Sequence, residues 1–147
     1  MLTEIVVPIT PVPASRPRVK RNGTVYYSKR YTQFRKDMER FWKMHNSKIF
    51  AKSIPLAVDI SLEIPLPKSI RSVNRGKISG TPHIGSTDID NIFKGILDSM
   101  NGIIFEDDAS VWKLSGTKRW TSAQNGKITI KIENYYGSIL PGDTGAD

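Results

Sequence analysis

Apolar and polar positions alternate along this chain in two rhythms, and the switches between them divide it into elements. Residues 2 to 9 carry Ile5, Val6, Val7 and Ile9 in a loosely alternating run broken by Pro8, Pro11 and Pro13, which predicts a first strand. Residues 56 to 64, LAVDISLEI, alternate as a half-buried strand ended by Pro65-Leu66-Pro67, and residues 110 to 120 and 127 to 135 read as two more strands, the last on Ile128, Ile130 and Ile132. Between these the period lengthens. From about Tyr31 to Phe50, Tyr31, Phe34, Met38, Phe41, then Trp42 or His45, and Ile49 mark one buried helical face, while Arg35, Lys36, Arg40 and Lys43 occupy the other. Residues 89 to 100 place Ile89, Ile92, Phe93, Ile96, Leu97 and Met100 at helical intervals.

Two segments follow neither rhythm. In RVKRNGTVYY, Asn22-Gly23 lies between short β-prone runs and predicts a hairpin closed by a type I′ turn, with Arg16, Arg18, Lys20, Arg21, Tyr26 and Tyr27 on a protruding ribbon. Residues 67 to 86 mix Gly, Ser, Pro and basic residues without periodicity and are expected to form a mobile functional loop. Residues 137 to 147 read as a flexible C-terminal tail. The expectation is one α+β domain over residues 1 to 136, with a mixed β-sheet packed against two main helices.

Composition narrows the chemistry. The 147 residues include no cysteine, which removes disulfides, thiolate zinc sites and a cysteine nucleophile, and suits a reducing, cytoplasmic setting. The start, MLTEIVVPIT, reads as neither a secretory signal nor a spanning helix, so no membrane partner is expected. The formal net charge is +8. Residues 15 to 52 hold twelve Lys or Arg against Asp37 and Glu39, and residues 67 to 87 add Lys68, Arg71, Arg75 and Lys77 without an acid. Fields of this sign attract polyanions, nucleic acid foremost; a merely solvated basic surface is the plainer alternative.

Against that background, six of the fourteen acidic residues lie between Asp88 and Asp108. On the helix at 89 to 100, Asp90, Asn91, Lys94 and Asp98 occupy the arc opposite the apolar one. A purely structural account suffices for part of this: Asp88 as a helix cap, and Lys94 paired with Asp90 and Asp98. It weakens at Glu106-Asp107-Asp108, because adjacent carboxylates repel unless solvated or neutralised, and a hard divalent ion neutralises them well. If the chain folds back after Asn101-Gly102, Asp88, Asp90 and Asp107 or Asp108 would converge on one or two ions, with Lys94 stabilising charge on a phosphate. Neither histidine, His45 or His83, has the surroundings of a ligand set, and no Gly-rich phosphate loop is present. Metal-assisted phosphodiester chemistry is the reading that remains.

The stretches SRPRVKRNGTVYYSKRY, TDIDNIFKGILDSMNGIIFEDDASV and KRW, over roughly residues 8 to 120, resemble the RusA family of Holliday-junction resolvases in the form often carried by phages and prophages. The pairing of D-x-D-N-x-x-K with a later D-D-A carries the resemblance. It implies a homodimeric, Mg²⁺-dependent endonuclease, with Mn²⁺ as a substitute and no small-molecule cofactor, that makes paired symmetric nicks in four-way junction DNA and leaves 5′-phosphate ends. The catalytic carboxylates would be Asp88, Asp90 and Asp108, with Asp107 as a further metal-ligating neighbour and Lys94 as the catalytic lysine. DNA contacts would come from Arg16, Arg18, Lys20, Arg21, Lys29, Arg30, Arg75, Lys77, Lys118 and Arg119. Family members commonly carry a basic residue just before the first Asp, where this chain has Ser86 and Thr87, so Arg75, Lys77 and His83 become candidates for approaching the phosphate. Two other functions are compatible with the residues: a non-catalytic basic DNA-binding module, and a metal nuclease acting on a wider range of branched DNA. Tyr26, Tyr27, Trp42, Trp112 and Trp120 are candidates for stacking on unpaired bases at the crossover, although for Trp42 and Trp112 packing in the core is the expected role.

Overall fold

The four long strands form one mixed sheet in the order β1 (Leu2–Val7), β6 (Lys127–Asn134), β4 (Leu56–Pro65), β5 (Val111–Thr121), in a computed structural model that describes residues 2–45, 50–85 and 88–135. β1 with β6 and β6 with β4 are antiparallel, and β4 with β5 is parallel, so the expected mixed α+β sheet is what the chain builds. The alternation read from LAVDISLEI is explicit: Leu56, Val58, Ile60 and Leu62 are buried, and the residues between them are half-buried. Their side chains meet those of Ile5, Val7, Ile128, Ile130 and Ile132 in one core.

Two helices cover that face. α1 (Lys29–His45) buries Tyr31, Phe34, Met38 and Trp42, and α3 (Ile89–Met100) buries Ile92, Phe93, Ile96 and Met100, each at three- or four-residue steps. Burying one such side chain stabilises the fold by about 1.5–3 kcal/mol. Of the two candidates near the end of α1, Trp42 turns inward, while His45 stays exposed and stacks on Phe41 at 5.3 Å. The Trp42 indole N–H donates to Ser99 Oγ at 3.1 Å, and that hydroxyl donates to the Ile96 carbonyl at 2.6 Å, so the two helices are locked by a satisfied buried polar pair. Ile49, Ser86, Thr87 and the 137–147 segment lie outside the described residues.

Three expectations are corrected. The supposed loop at 67 to 86 contains a short helix, α2 (Ser72–Ile78), followed by an edge-pairing segment. None of the α2 residues is buried, so it has no core-facing stripe and leaves no periodic trace in the sequence. After it, Gly80 N–H donates to the Trp120 carbonyl at 2.7 Å, Trp120 N–H to Thr81 at 2.9 Å, and His83 N–H to Lys118 at 3.0 Å, which covers the C-terminal half of the β5 edge. Secondly, the hairpin β2 (Arg18–Val19) and β3 (Val25–Tyr26) has a three-residue turn instead of a type I′ pair. Lys20 N–H donates to Thr24 O at 2.8 Å and Gly23 N–H to Lys20 O at 2.9 Å, leaving Arg21, Asn22 and Gly23 in the loop, with Gly23 at φ +85°. Thirdly, Trp112 is not in the core: it is 57% exposed and meets Tyr135 edge-on at 5.8 Å, because the register shift at Leu56/Ala57 falls beside it.

Candidate active site

The backbone conformation of Asp88 starts α3, yet its carboxylate makes no capping hydrogen bond and is exposed. The capping role that would have accounted for this residue is therefore not how its side chain is used. Asp90, Lys94 and Asp98 follow on successive turns of the outward face. Among the described residues, Lys94 forms no ion pair with Asp90 or Asp98, so the neutralising account of the lysine fails as well.

The second acidic group is set by the turn after α3. Gly102 N–H donates to Phe105 O at 2.8 Å and Ile104 N–H to Met100 O at 2.9 Å; Ile104 and Phe105 are buried in the core, and the apolar run at 103–105 forms a tight turn. A turn this tight keeps Asp107 and Asp108 beside the C-terminal half of α3. Glu106 leaves the group, its carboxylate accepting from Lys52 N–H at 3.3 Å. Asp107 Oδ1 accepts from Ala109 N–H at 3.2 Å and caps the single 3₁₀ turn Asp108–Ser110.

The two remaining carboxyls share a hydrogen bond with opposite effects. Asp107 is held below the ordinary carboxylate range by the Ala109 N–H and then by Asp108. Asp108 is raised above it, first by the hydrogen bond with Asp107, then by partial burial, then by the negative charges of Asp107 and Asp98; the Asn101 side chain offsets part of this. Charge repulsion from Asp98 places that residue beside Asp108. Sequence reasoning missed this and left Asp98 to helix pairing, since a contact between a helix face and a later turn has no periodic signature.

Asp90, Lys94, Asp98 and Asp108 open onto one groove of about 380 Å³ between α3 and β5, floored by Ile89, Phe93, Leu97 and Leu114. Asp90 and Asp98 are separated by about 12 Å of helix rise. The acids therefore stand at two ends of a groove, Asp88 and Asp90 at the start of α3 and Asp98, Asp107 and Asp108 at its end, with Lys94 between. Among the described residues no three carboxylate or imidazole groups are gathered tightly enough to enclose one ion. The donor chemistry still fits a hard divalent cation: the ligands are all carboxylate oxygens, and Asp107 and Asp108 hold like charge at close quarters.

The basic residues divide into two groups. Arg16, Arg18, Lys20, Arg21, Lys29, Arg30 and Lys77 are exposed. Arg75 is half-buried and donates to the carbonyls of Pro67 at 3.1 Å and Ile70 at 3.4 Å, while Arg119 donates to Gly80 O at 2.9 Å, so both secure the 67–83 segment. Lys118 is half-buried on β5 close to His83. His83 is 8% exposed and packs on Trp120 at a ring distance of 4.2 Å, away from the residues that line the groove; burial holds its imidazole below the ordinary value, with Lys118 adding to the effect. No helix among the described residues is long and apolar enough to cross a membrane.

The model of a family described as Endodeoxyribonuclease RusA matches residues 8–133. An uncharacterized protein of Bacillus subtilis (strain 168), YqaN, is 26% identical over 131 residues, which cover 82% of this chain and 89% of that protein.

Proposed function

The chain belongs to the RusA endodeoxyribonuclease family, and from that membership we propose that it is a divalent-metal-dependent endonuclease that resolves four-way DNA junctions by paired nicks. The observation that carries the reading is the groove, where carboxylates from α3 and from the following turn flank one lysine that forms no ion pair among the described residues, on a molecule that is otherwise strongly basic. A non-catalytic binding module has no use for the exposed Asp88 carboxylate, which makes no capping hydrogen bond, or for Asp90 and Asp98, which form no ion pair among the described residues.

In this proposal Asp88 and Asp90 would hold one Mg²⁺ at one end of the groove and Asp107 and Asp108 a second at the other, or Mn²⁺ in its place. The bound cation supplies Lewis acidity toward the phosphate and lowers the pKa of water. The chain's own residues do the rest. Lys94, midway along the groove and without an ion partner among the described residues, meets the negative charge that builds on the phosphate oxygens during in-line attack. Asp108, whose proton affinity is raised by Asp107 and partial burial, would give up its proton when a cation binds at that end of the groove. Loss of the 3′ oxygen would leave 5′-phosphate and 3′-hydroxyl ends. The exposed cations on the hairpin and on the first turn of α1 position the backbone without reading sequence. A four-way junction has approximate two-fold symmetry, and an isologous dimer would bring two such grooves to opposing strands.

The deciding experiment offers labelled four-way junction, flap and linear duplex to the wild-type protein and to Asp90→Asn, with Mg²⁺ or with EDTA. Mg²⁺-dependent paired nicks in the junction, lost in Asp90→Asn while junction binding persists, are the expected outcome. Cutting by Asp90→Asn at the wild-type rate would remove the site from consideration. Equal cutting of flap and junction would favour the broader branched-DNA nuclease.

A further inference from the structure

The β2–β3 hairpin has two unlike faces, and only one of them is accounted for by binding to phosphates. Alternation along its strands puts Arg18, Lys20 and Tyr26 on one side, where the Lys20 ammonium lies 5.6 Å from the Tyr26 ring centre. Val19 and Val25 are directly paired across the strands and share the other side. They are 68% and 58% exposed. In a hairpin only two paired residues long these valines add nothing to a core, and a solvated ribbon would carry threonine or charge there at no structural loss.

We propose that the Val19–Val25 pair is an apolar wedge that inserts among bases at the branch point of DNA, so that this hairpin selects branched over continuous duplex. The inference rests on the nuclease reading for its substrate class. DNA is the occupant because of the hairpin's other residues: Arg18, Lys20 and Arg21, with Arg16 before it, are exposed cations complementary to a polyanion, and they would repel a second copy of the same basic arm. Proteins that press apolar side chains between base steps bear an unstacking cost of about a few kcal/mol per step. That cost is smallest where pairing is already interrupted, which gives a wedge its preference for a junction over an intact helix. The arm is firmly rooted for such a task. Ser28 N–H donates to Ser15 Oγ at 3.2 Å, Tyr27 meets Tyr31 edge-on at 5.7 Å, and Ala14 N–H donates to the Asn91 carbonyl at 3.1 Å on the first turn of α3. The root of the wedge is therefore fixed to the same helix that carries the groove's Asp90, Lys94 and Asp98.

The test uses four-way junctions carrying 2-aminopurine beside the branch point, bound in EDTA so that no cutting occurs, with the uncut linear duplex as comparator. Val19→Thr with Val25→Thr keeps shape and β propensity while adding hydroxyls. Wild-type protein should raise the fluorescence; the double variant should not, and its junction-to-duplex affinity ratio should fall roughly tenfold, the size of one base-stacking interaction. Its salt dependence should match wild type, which also shows that the hairpin's cations are still in place. Val25→Ile should retain both signals. A double variant that unstacks the junction as well as wild type, loses affinity for junction and duplex equally, or changes only the oligomeric state would overturn the proposal. The two readings fail separately: a protein that unstacks the junction but never nicks it in Mg²⁺ loses the nuclease assignment alone, and one that nicks with full selectivity despite the threonines loses the wedge alone.

Discussion

The backbone N–H of Ala14 donates to the carbonyl of Asn91 at 3.1 Å, joining the segment that leads into the basic hairpin to the first turn of the acidic helix. Residues far apart in the chain are thus held together, and the arrangement explains how a protein of net charge +8 carries an acidic groove without internal conflict. The bond fixes the root of the basic hairpin segment to the helix that carries Asp90, Lys94 and Asp98.

Lys94→Ala should reduce Mg²⁺-dependent nicking by about 10²–10³-fold, the effect of removing one preorganised donor to a transition-state oxygen, with little change in junction affinity. Single-turnover rates on saturating junction are the measurement. Because Lys94 is exposed and has no ion partner among the described residues, the melting temperature should stay the same, which separates the chemical role from a structural one.

Arg16→Ala with Arg18→Ala should weaken binding to junction and duplex alike. The slope of log affinity against log salt should become shallower by about 0.9 for each phosphate that the variant no longer neutralises. An unchanged slope in a salt titration would show that the arm's cations do not touch the backbone.

Asp108 is raised above the ordinary carboxylate value, so in the folded protein its charged form is disfavoured relative to the unfolded chain. The sign follows by linkage: the penalty is fully present above the folded-state pKa and disappears below the unfolded one. Asp108→Asn should therefore raise the melting temperature at neutral pH and leave it unchanged in acid. If the carboxylate serves nicking as proposed, the acid limb of the reaction should lie above that of an unperturbed aspartate. Asp98→Asn, which removes one source of the repulsion, should move that limb toward lower pH in a rate–pH profile.

Gly116 on β5 is where α3 is pressed onto the sheet. A Cβ there would lie 2.0 Å from the Ile60 carbonyl oxygen and 2.5 Å from Phe93 Cζ. Gly116→Ala should destabilise the fold by more than about 3 kcal/mol in urea unfolding, beyond ordinary overpacking, because one of the clashing atoms is backbone. The groove should loosen together with the fold.

What the sequence determined by itself is whatever repeats at the period of its element. Ile89, Ile92, Phe93, Ile96 and Met100 mark α3, Leu56 to Leu62 mark β4, and both came out within a residue of their observed ends, since burial of one face imposes that period directly. The family, too, was legible, because its acidic and lysine spacings are local to one helix and one turn. Tertiary structure alone decided the rest. α2 buries nothing and so carries no pattern; Trp112 is the extra residue where β5 shifts register against Leu56 and Ala57 of β4; and Asp98 was brought to Asp108, as Ala14 was to Asn91, by packing between segments whose separation no local rhythm encodes. Periodicity reports which side of an element is buried, and only packing decides which polar sides come to face one another.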